Sequence, residues 1–140
     1  MLISLVYVSS ASHLMSEEDL LELLQAARKK NQELNITGML LYHHGNFIQV
    51  LEGEEADVMM MEQKIKQDVR HHTMIRLIKE PISERSFPDW SMGFRNIDKL
   101  SKEDREGLND YLDSPWTLEY WSSNPSKAQK LLVNFKAVLR

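Results

Sequence analysis

Apolar and polar positions along this chain follow two periods, and the changes of period divide it into elements. Residues 2–9 read as a strand: Leu2, Val6 and Val8 share one face, and Ile3, Leu5 and Tyr7 share the other. Apolar residues on both faces predict a central strand covered by helix on at least one side. Ser16 is a good N-cap, and Glu17, Glu18 and Asp19 behind it suit the positive end of a helix dipole. Leu20, Leu23, Leu24 and Ala27 continue at helical spacing, which leaves Asn31 as a polar amide at the end of an apolar stripe. Residues 36–42 and 47–52 predict a hairpin turning through 43–46, with Gly45 supplying a positive φ and Gly53 ending it. Residues 57 to about 69 predict a second helix through Val58, Met61, Ile65 and Val69. Residues 75–78 predict a fourth strand, stopped near Pro81. Residues 90–95 predict a short fifth strand with Trp90, Met92 and Phe94 on one face.

This order of elements predicts an α+β, ferredoxin-like βαββαβ fold with an added fifth strand. The right-handed crossover rule puts both helices on one sheet face. After Asn96 the composition shifts. Ser101 caps a polar helix over residues 102 to about 112, broken at Asp113-Ser-Pro115. Pro125 starts a last helix whose apolar face is Ala128, Leu131, Leu132, Phe135 and Val138, and Trp116, Tyr120 and Trp121 lie between the two. The chain thus divides into a domain at 1–97 and a two-helix extension at 98–140. The extension is too short to hold a core alone, so it packs on the open sheet face or on another subunit.

The totals narrow the function. Apolar residues make up 42% and charged residues 27%, ordinary for a soluble domain. A net charge of −4 disfavours nonspecific binding to nucleic acid or anionic lipid. The absence of cysteine excludes disulfides, thiolate catalysis and cysteine–zinc sites. The N-terminus lacks the basic lead and small-residue cleavage site of a signal peptide, and no apolar run approaches the roughly 20 residues of a membrane span. A cytoplasmic protein with no membrane contact is expected. His43-His44 and His71-His72 suggest no metal site, because adjacent histidines point apart on a strand and lie on different sides of a helix.

The candidate chemistry centres on residues 46–53. Phe47, Gln49 and Leu51 share a strand face, and Gln49 is an uncharged amide inside an apolar run. A buried amide left without partners costs about 1–3 kcal/mol, so something must hydrogen-bond to it. In the inferred fold the first and third strands are adjacent, and the first helix lies over them. Tyr7 and Gln49 then become neighbours, with Asn31 approaching from above. Each residue alone also reads as ordinary packing or capping. Together they outline a polar slot between two helices, suited to a planar hydrogen-bonding ligand.

Five segments in register resemble one known family: Leu5-Val-Tyr7-Val-Ser9, Asn31 with Asn35-Ile-Thr-Gly38, Phe47-Ile-Gln-Val-Leu-Glu-Gly53, Asp68-Val-Arg-His71 and Phe87-Pro-Asp-Trp-Ser-Met92. The chain resembles a BLUF domain, a flavin-binding blue-light sensor, across residues 1 to about 97. The resemblance implies that Tyr7 donates an electron and then a proton to the excited flavin. It puts Gln49 between that tyrosine and the N5/C4 carbonyl edge of the ring, and Asn31 on the ring's carbonyl and N3 edge. Trp90 and Met92 match the strand-five pair that exchanges near the glutamine. Lys64, Arg70 and His71 match contacts to the ribityl chain and phosphates. Lys30 and Ala27 depart from family positions that carry polar flavin contacts in some members. The implied cofactor is FAD or FMN, and the implied role is sensing rather than enzymatic catalysis.

The expected type is short and stand-alone. Output passes to a separate downstream signalling protein or alters the self-association of a homo-oligomer. Residues 90–94 and the C-terminal helices are expected to relay the change, so that removing residues 98–140 leaves the photocycle but removes light-dependent partner binding. Two alternatives come from other classes: a small ferredoxin-like hydrolase of the acylphosphatase type, and a flavin-free interaction module. The first lacks an arginine or glycine-rich phosphate cradle near Ser9-Ser-Ala-Ser12.

Overall fold

Five strands form one mixed sheet in the order β4-β1-β3-β2-β5. The computed structural model describes residues 1–103, 111 and 114–138, with 135–138 described by backbone alone. The strands are β1 (Leu2–Ala11), β2 (Thr37–His43), β3 (Asn46–Glu54), β4 (His71–Pro81) and β5 (Gly93–Asn96). The helices are α1 (Glu17–Glu33), α2 (Glu55–Lys66), α3 (Leu118–Ser123) and α4 (Pro125–Val138), and a 3-10 turn spans Ile97–Lys99. β1 and β3 are central and antiparallel, and β5 adds in parallel beside β2. This is the ferredoxin-like α+β arrangement with one extra edge strand.

Local chemistry explains the element boundaries. α1 starts with a reciprocal cap: Asp19 N–H donates to Ser16 Oγ, and Ser16 N–H donates to Asp19 Oδ2, each at 3.1 Å. The β2–β3 hairpin closes through His44 and Gly45, with φ of 49° and 77°, the two-residue turn that matches strand twist. Gly45 supplies the positive φ that the sequence predicts, and His44 supplies a second. Gly53 does not end the hairpin, since β3 runs on to Glu54 and α2 begins at the next residue. α2 ends at Lys66 rather than near 69, and Val69 is exposed in the loop that follows, outside the helix's apolar stripe.

The sheet is covered on both faces. One layer packs Ile3, Leu5, Tyr7, Leu40, Phe47 and Leu51 against Leu20 and Leu24 of α1 and Val58 and Met61 of α2. The other packs Val6, Val8, Met39, Leu41, Ile48 and Val50 against Trp116, Trp121, Ala128, Leu131 and Leu132. The C-terminal helices therefore occupy the sheet face that α1 and α2 leave open. α3, which carries Tyr120 and Trp121, was not anticipated as a helix. The helix expected over residues 102–112 falls mostly outside the described residues, as do the side chains of Phe135 and Val138. Among the described residues, no helix is long and apolar enough to cross a membrane.

Candidate functional site

The β1–β3 ladder places Tyr7 directly opposite Gln49, so their side chains rise together on the α1/α2 face. Both are buried, and the Tyr7 hydroxyl donates a hydrogen bond to Gln49 Oε1. The amide's other end is also engaged: Gln49 Nε2 donates to Met92 Sδ at 3.3 Å. Burial pushes the Tyr7 phenol pKa far up, and the negative charges of Asp68 and Glu62 push it the same way. A tyrosine here holds its proton throughout the accessible pH range.

Beside this pair lies a cavity of about 240 Å³ between α1 and α2. Leu23, Ala26, Ala27, Leu40, Phe47 and Ile65 give it apolar walls. Tyr7, Gln49 and Asn31 present polar atoms to it, while Lys30, Lys64, Asp68, Arg70 and His71 complete the lining. Asn31 is buried in α1 and donates from Nδ2 to Ser91 O at 2.7 Å, which leaves its carbonyl for a ligand edge. Ser9 also lines the cavity. Its hydroxyl is buried and has no partner among the described residues. A buried donor-acceptor without a partner fits a site built to hold a polar ligand.

The basic side chains differ in availability. Arg70 is committed to Asp68: Nε donates to its carboxylate at 3.0 and 3.1 Å, and Nη2 donates at 2.5 Å. Arg70 in turn holds the Asp68 carboxyl below the usual carboxylate range. The His71 ring engages Ile65 O, which pins it at the cavity wall. Lys64 and Lys30 are exposed at the rim, suited to a phosphate that projects toward solvent. Asp68 and Ser9 belong to this lining although the sequence pattern assigns them no site role, and Lys30, which departs from a family flavin-contact position, lines it too. Asp68 stood inside a motif already singled out, but a carboxylate carries no signal for an anionic ligand until its arginine partner is seen.

Trp90 and Met92 do not share a strand face as expected. β5 begins only at Gly93, and residues 90–92 form its approach loop. Met92 turns into the Tyr7 layer and reaches Gln49, whereas Trp90 packs on the opposite layer, its ring centroid 5.9 Å from that of Phe87. A loop held by side-chain hydrogen bonds does not obey strand alternation. Adjacent histidines do not point apart at His43 and His44. The left-handed backbone at His44 folds its ring against that of His43, centroids 3.7 Å apart, and both nitrogens face Asp98. These three residues bring possible ligand atoms within 4.8 Å of one another.

An apolar slot with two amides, a buried phenol and cations at its rim has the donor set of a flavin site. The comparisons agree. A family model described as BLUF, sensors of blue-light using FAD, matches residues 2–93. The chain belongs to the BLUF family. A photoactivated adenylate cyclase alpha subunit of Euglena gracilis is 43% identical over 86 residues, covering 61% of this chain and 8% of that protein. The chain thus spans only a small part of the length of the curated relatives it matches. A bacterial light-regulated adenylyl cyclase superposes with a TM-score of 0.76 at 37% identity, over 81% of this chain and 33% of that chain. BlsA in its photo-activated state superposes with a TM-score of 0.74 at 27% identity, over 96% of this chain and 93% of that chain. As a BLUF protein the chain is a blue-light sensor, and the family's cofactor is a flavin. The assignment sets the hydrolase alternative aside.

Proposed function

We propose that this BLUF chain senses blue light through Tyr7 and Gln49, with residues 1–97 holding the flavin and residues 98–140 serving as the extension that carries output. When bound, the flavin supplies a strong oxidant on absorbing blue light. Tyr7 is the buried oxidisable group at the cavity. In the dark its raised pKa keeps the phenol neutral. An electron passed from Tyr7 to that oxidant would make the hydroxyl strongly acidic, and Gln49 Oε1, which already accepts its hydrogen bond, would take the proton. Gln49 then rotates or tautomerises, which exchanges its donor and acceptor ends. Met92 Sδ consequently loses the donor it holds at 3.3 Å.

Asn31 and Gln49 are proposed to meet the polar edge of the ring, and the apolar walls to take its faces. Lys64, Arg70 and His71 are proposed to serve the ribityl chain and phosphates, with Arg70 acting through its Asp68 pair. Trp90 is not a direct partner of Gln49 in this reading. FAD is the proposed cofactor, and the mass of the chromophore released on denaturation distinguishes it from FMN. Output is proposed to pass to a separate signalling protein or to alter self-association.

The observation that supports the reading best is the buried phenol–amide–thioether chain. The test is an absorbance spectrum before and after blue light. Wild-type protein shows a small reversible red shift of the flavin band. Tyr7→Phe and Gln49→Leu keep the flavin but lose the shift. A normal shift in both variants would falsify the assigned mechanism.

A further inference from the structure

Successive carbonyl groups ahead of β5 are tied from outside their own segment. Gly38 N–H of β2 donates to Trp90 O at 3.0 Å. Asn31 Nδ2 donates to Ser91 O at 2.7 Å, and Arg28 Nε donates to Met92 O at 3.0 Å. Arg28 and Asn31 both come from α1, spaced so that they leave the helix on one side. The backbone of Met92 is therefore held by α1, and its side chain is held by Gln49 of β3.

Arg28 differs from Asn31 in one respect. Asn31 also lines the Tyr7 cavity, whereas Arg28 lines a separate groove of about 320 Å³ with Asp89 and residues 90–94. It can act on the loop without touching a ligand in the cavity. Its donor is a cation and half-buried, which strengthens the bond to a neutral carbonyl. The loop has little other slack, since the Trp90 ring lies so close to Gly93 that an added Cβ would meet Cε3 at 2.7 Å.

We propose that Arg28 is a positioning residue that holds residues 90–92, and through them β5, in the resting arrangement with Met92 beside Gln49. The proposal rests on the reading of Gln49 as the light-responsive amide. With the guanidinium in place, the Met92 carbonyl stays on α1 until Gln49 withdraws its own hydrogen bond. Without it, the approach to β5 loosens before any light is absorbed, and the light-driven change has less left to release.

Hydrogen exchange of the amides of residues 93–96, measured in the dark and under blue light on the full flavin-loaded chain, tests this. Arg28→Ala is expected to raise dark exchange there by about tenfold, as loss of a charge-assisted hydrogen bond would. The light-induced increment shrinks while the flavin red shift keeps its size. Arg28→Lys restores part of the protection, because an ammonium reaches a carbonyl without the fixed geometry of a guanidinium. If Arg28→Ala does not fold, Arg28→Gln carries the same expectation. Exchange at wild-type levels in both conditions overturns the proposal. A folded variant that loses flavin or its red shift also overturns it, since Arg28 would then act in the chromophore site. Absence of a red shift in the wild-type protein refutes the Gln49 reading instead, and the dark exchange comparison still judges Arg28.

Discussion

Residues that look unremarkable in the sequence carry large structural consequences here. Gly38 is one: a Cβ at this position would lie 2.0 Å from Val50 O, a backbone atom that cannot step aside. Gly38→Ala is expected to destabilise the protein by at least the about 1–3 kcal/mol typical of overpacking, read from urea unfolding. Glu62 is another. Its carboxylate is buried on α2 and takes a fork of hydrogen bonds from Arg76, at 2.5 and 2.9 Å, with Lys66 at 4.0 Å. Arg76 lies opposite Tyr7 on the β1–β4 ladder. Arg76 holds the Glu62 carboxyl below its ordinary pKa. That stability is present above the usual carboxylate range and is lost as pH falls through the lowered folded value. Arg76→Ala leaves the Glu62 carboxylate with only the longer-range charges of Lys66 and Lys79 among the described residues, and because Arg76 itself is 40% exposed the cost falls below the about 3–5 kcal/mol of a fully buried broken pair. The deficit should narrow on acidification, because the stranded carboxylate can then protonate. Unfolding curves at neutral and acidic pH check both statements, and a constant deficit would refute the second.

At the level of elements, the sequence was most readable where one local rule acts alone. Ser16 with Asp19 announced the start of α1, and the structure has the full reciprocal cap. Ser16→Ala should cost about 0.5–2 kcal/mol in thermal or urea unfolding. The anomaly at Gln49 was legible because an amide in an apolar strand must find partners, and topology put Tyr7 beside it. The approach to β5 was not legible. Its Trp-x-Met spacing suits a strand, but its path is set by distant donors on Gly38, Asn31 and Arg28. The His43-His44 geometry was hidden for a related reason: left-handed backbone at a histidine is uncommon, and a period-2 pattern assumes it away. β4 was read too short, as residues 75–78, because its partly exposed positions give weak alternation and its pairing with β1 slips twice.

For the whole molecule, two apolar layers share one sheet. The sheet face under α3 and α4 includes Val6, Val8, Met39, Leu41, Ile48 and Val50, all buried. Removing residues 98–140 would uncover it. The earlier expectation that such a truncation keeps a clean photocycle meets this obstacle. The truncated chain should instead bind a hydrophobic dye and melt at a lower temperature, whereas a soluble monomer with wild-type melting would refute this account. Finer contacts join the layers: Asn46 Nδ2 donates to Trp116 O at 2.6 Å, and Gln129 Nε2 donates to Glu80 Oε1 at 2.9 Å.

The distribution of indole rings follows from the same layering. The chain has three tryptophans, and Trp90, Trp116 and Trp121 all pack on the side of the sheet away from Tyr7. Their ultraviolet emission therefore arises in the half of the molecule that α3 and α4 cover. Illumination experiments have a native, label-free gauge there: a shift in the wavelength of that emission after a blue flash, which energy transfer to the flavin does not by itself produce, would mean that the event at the phenol has crossed the sheet.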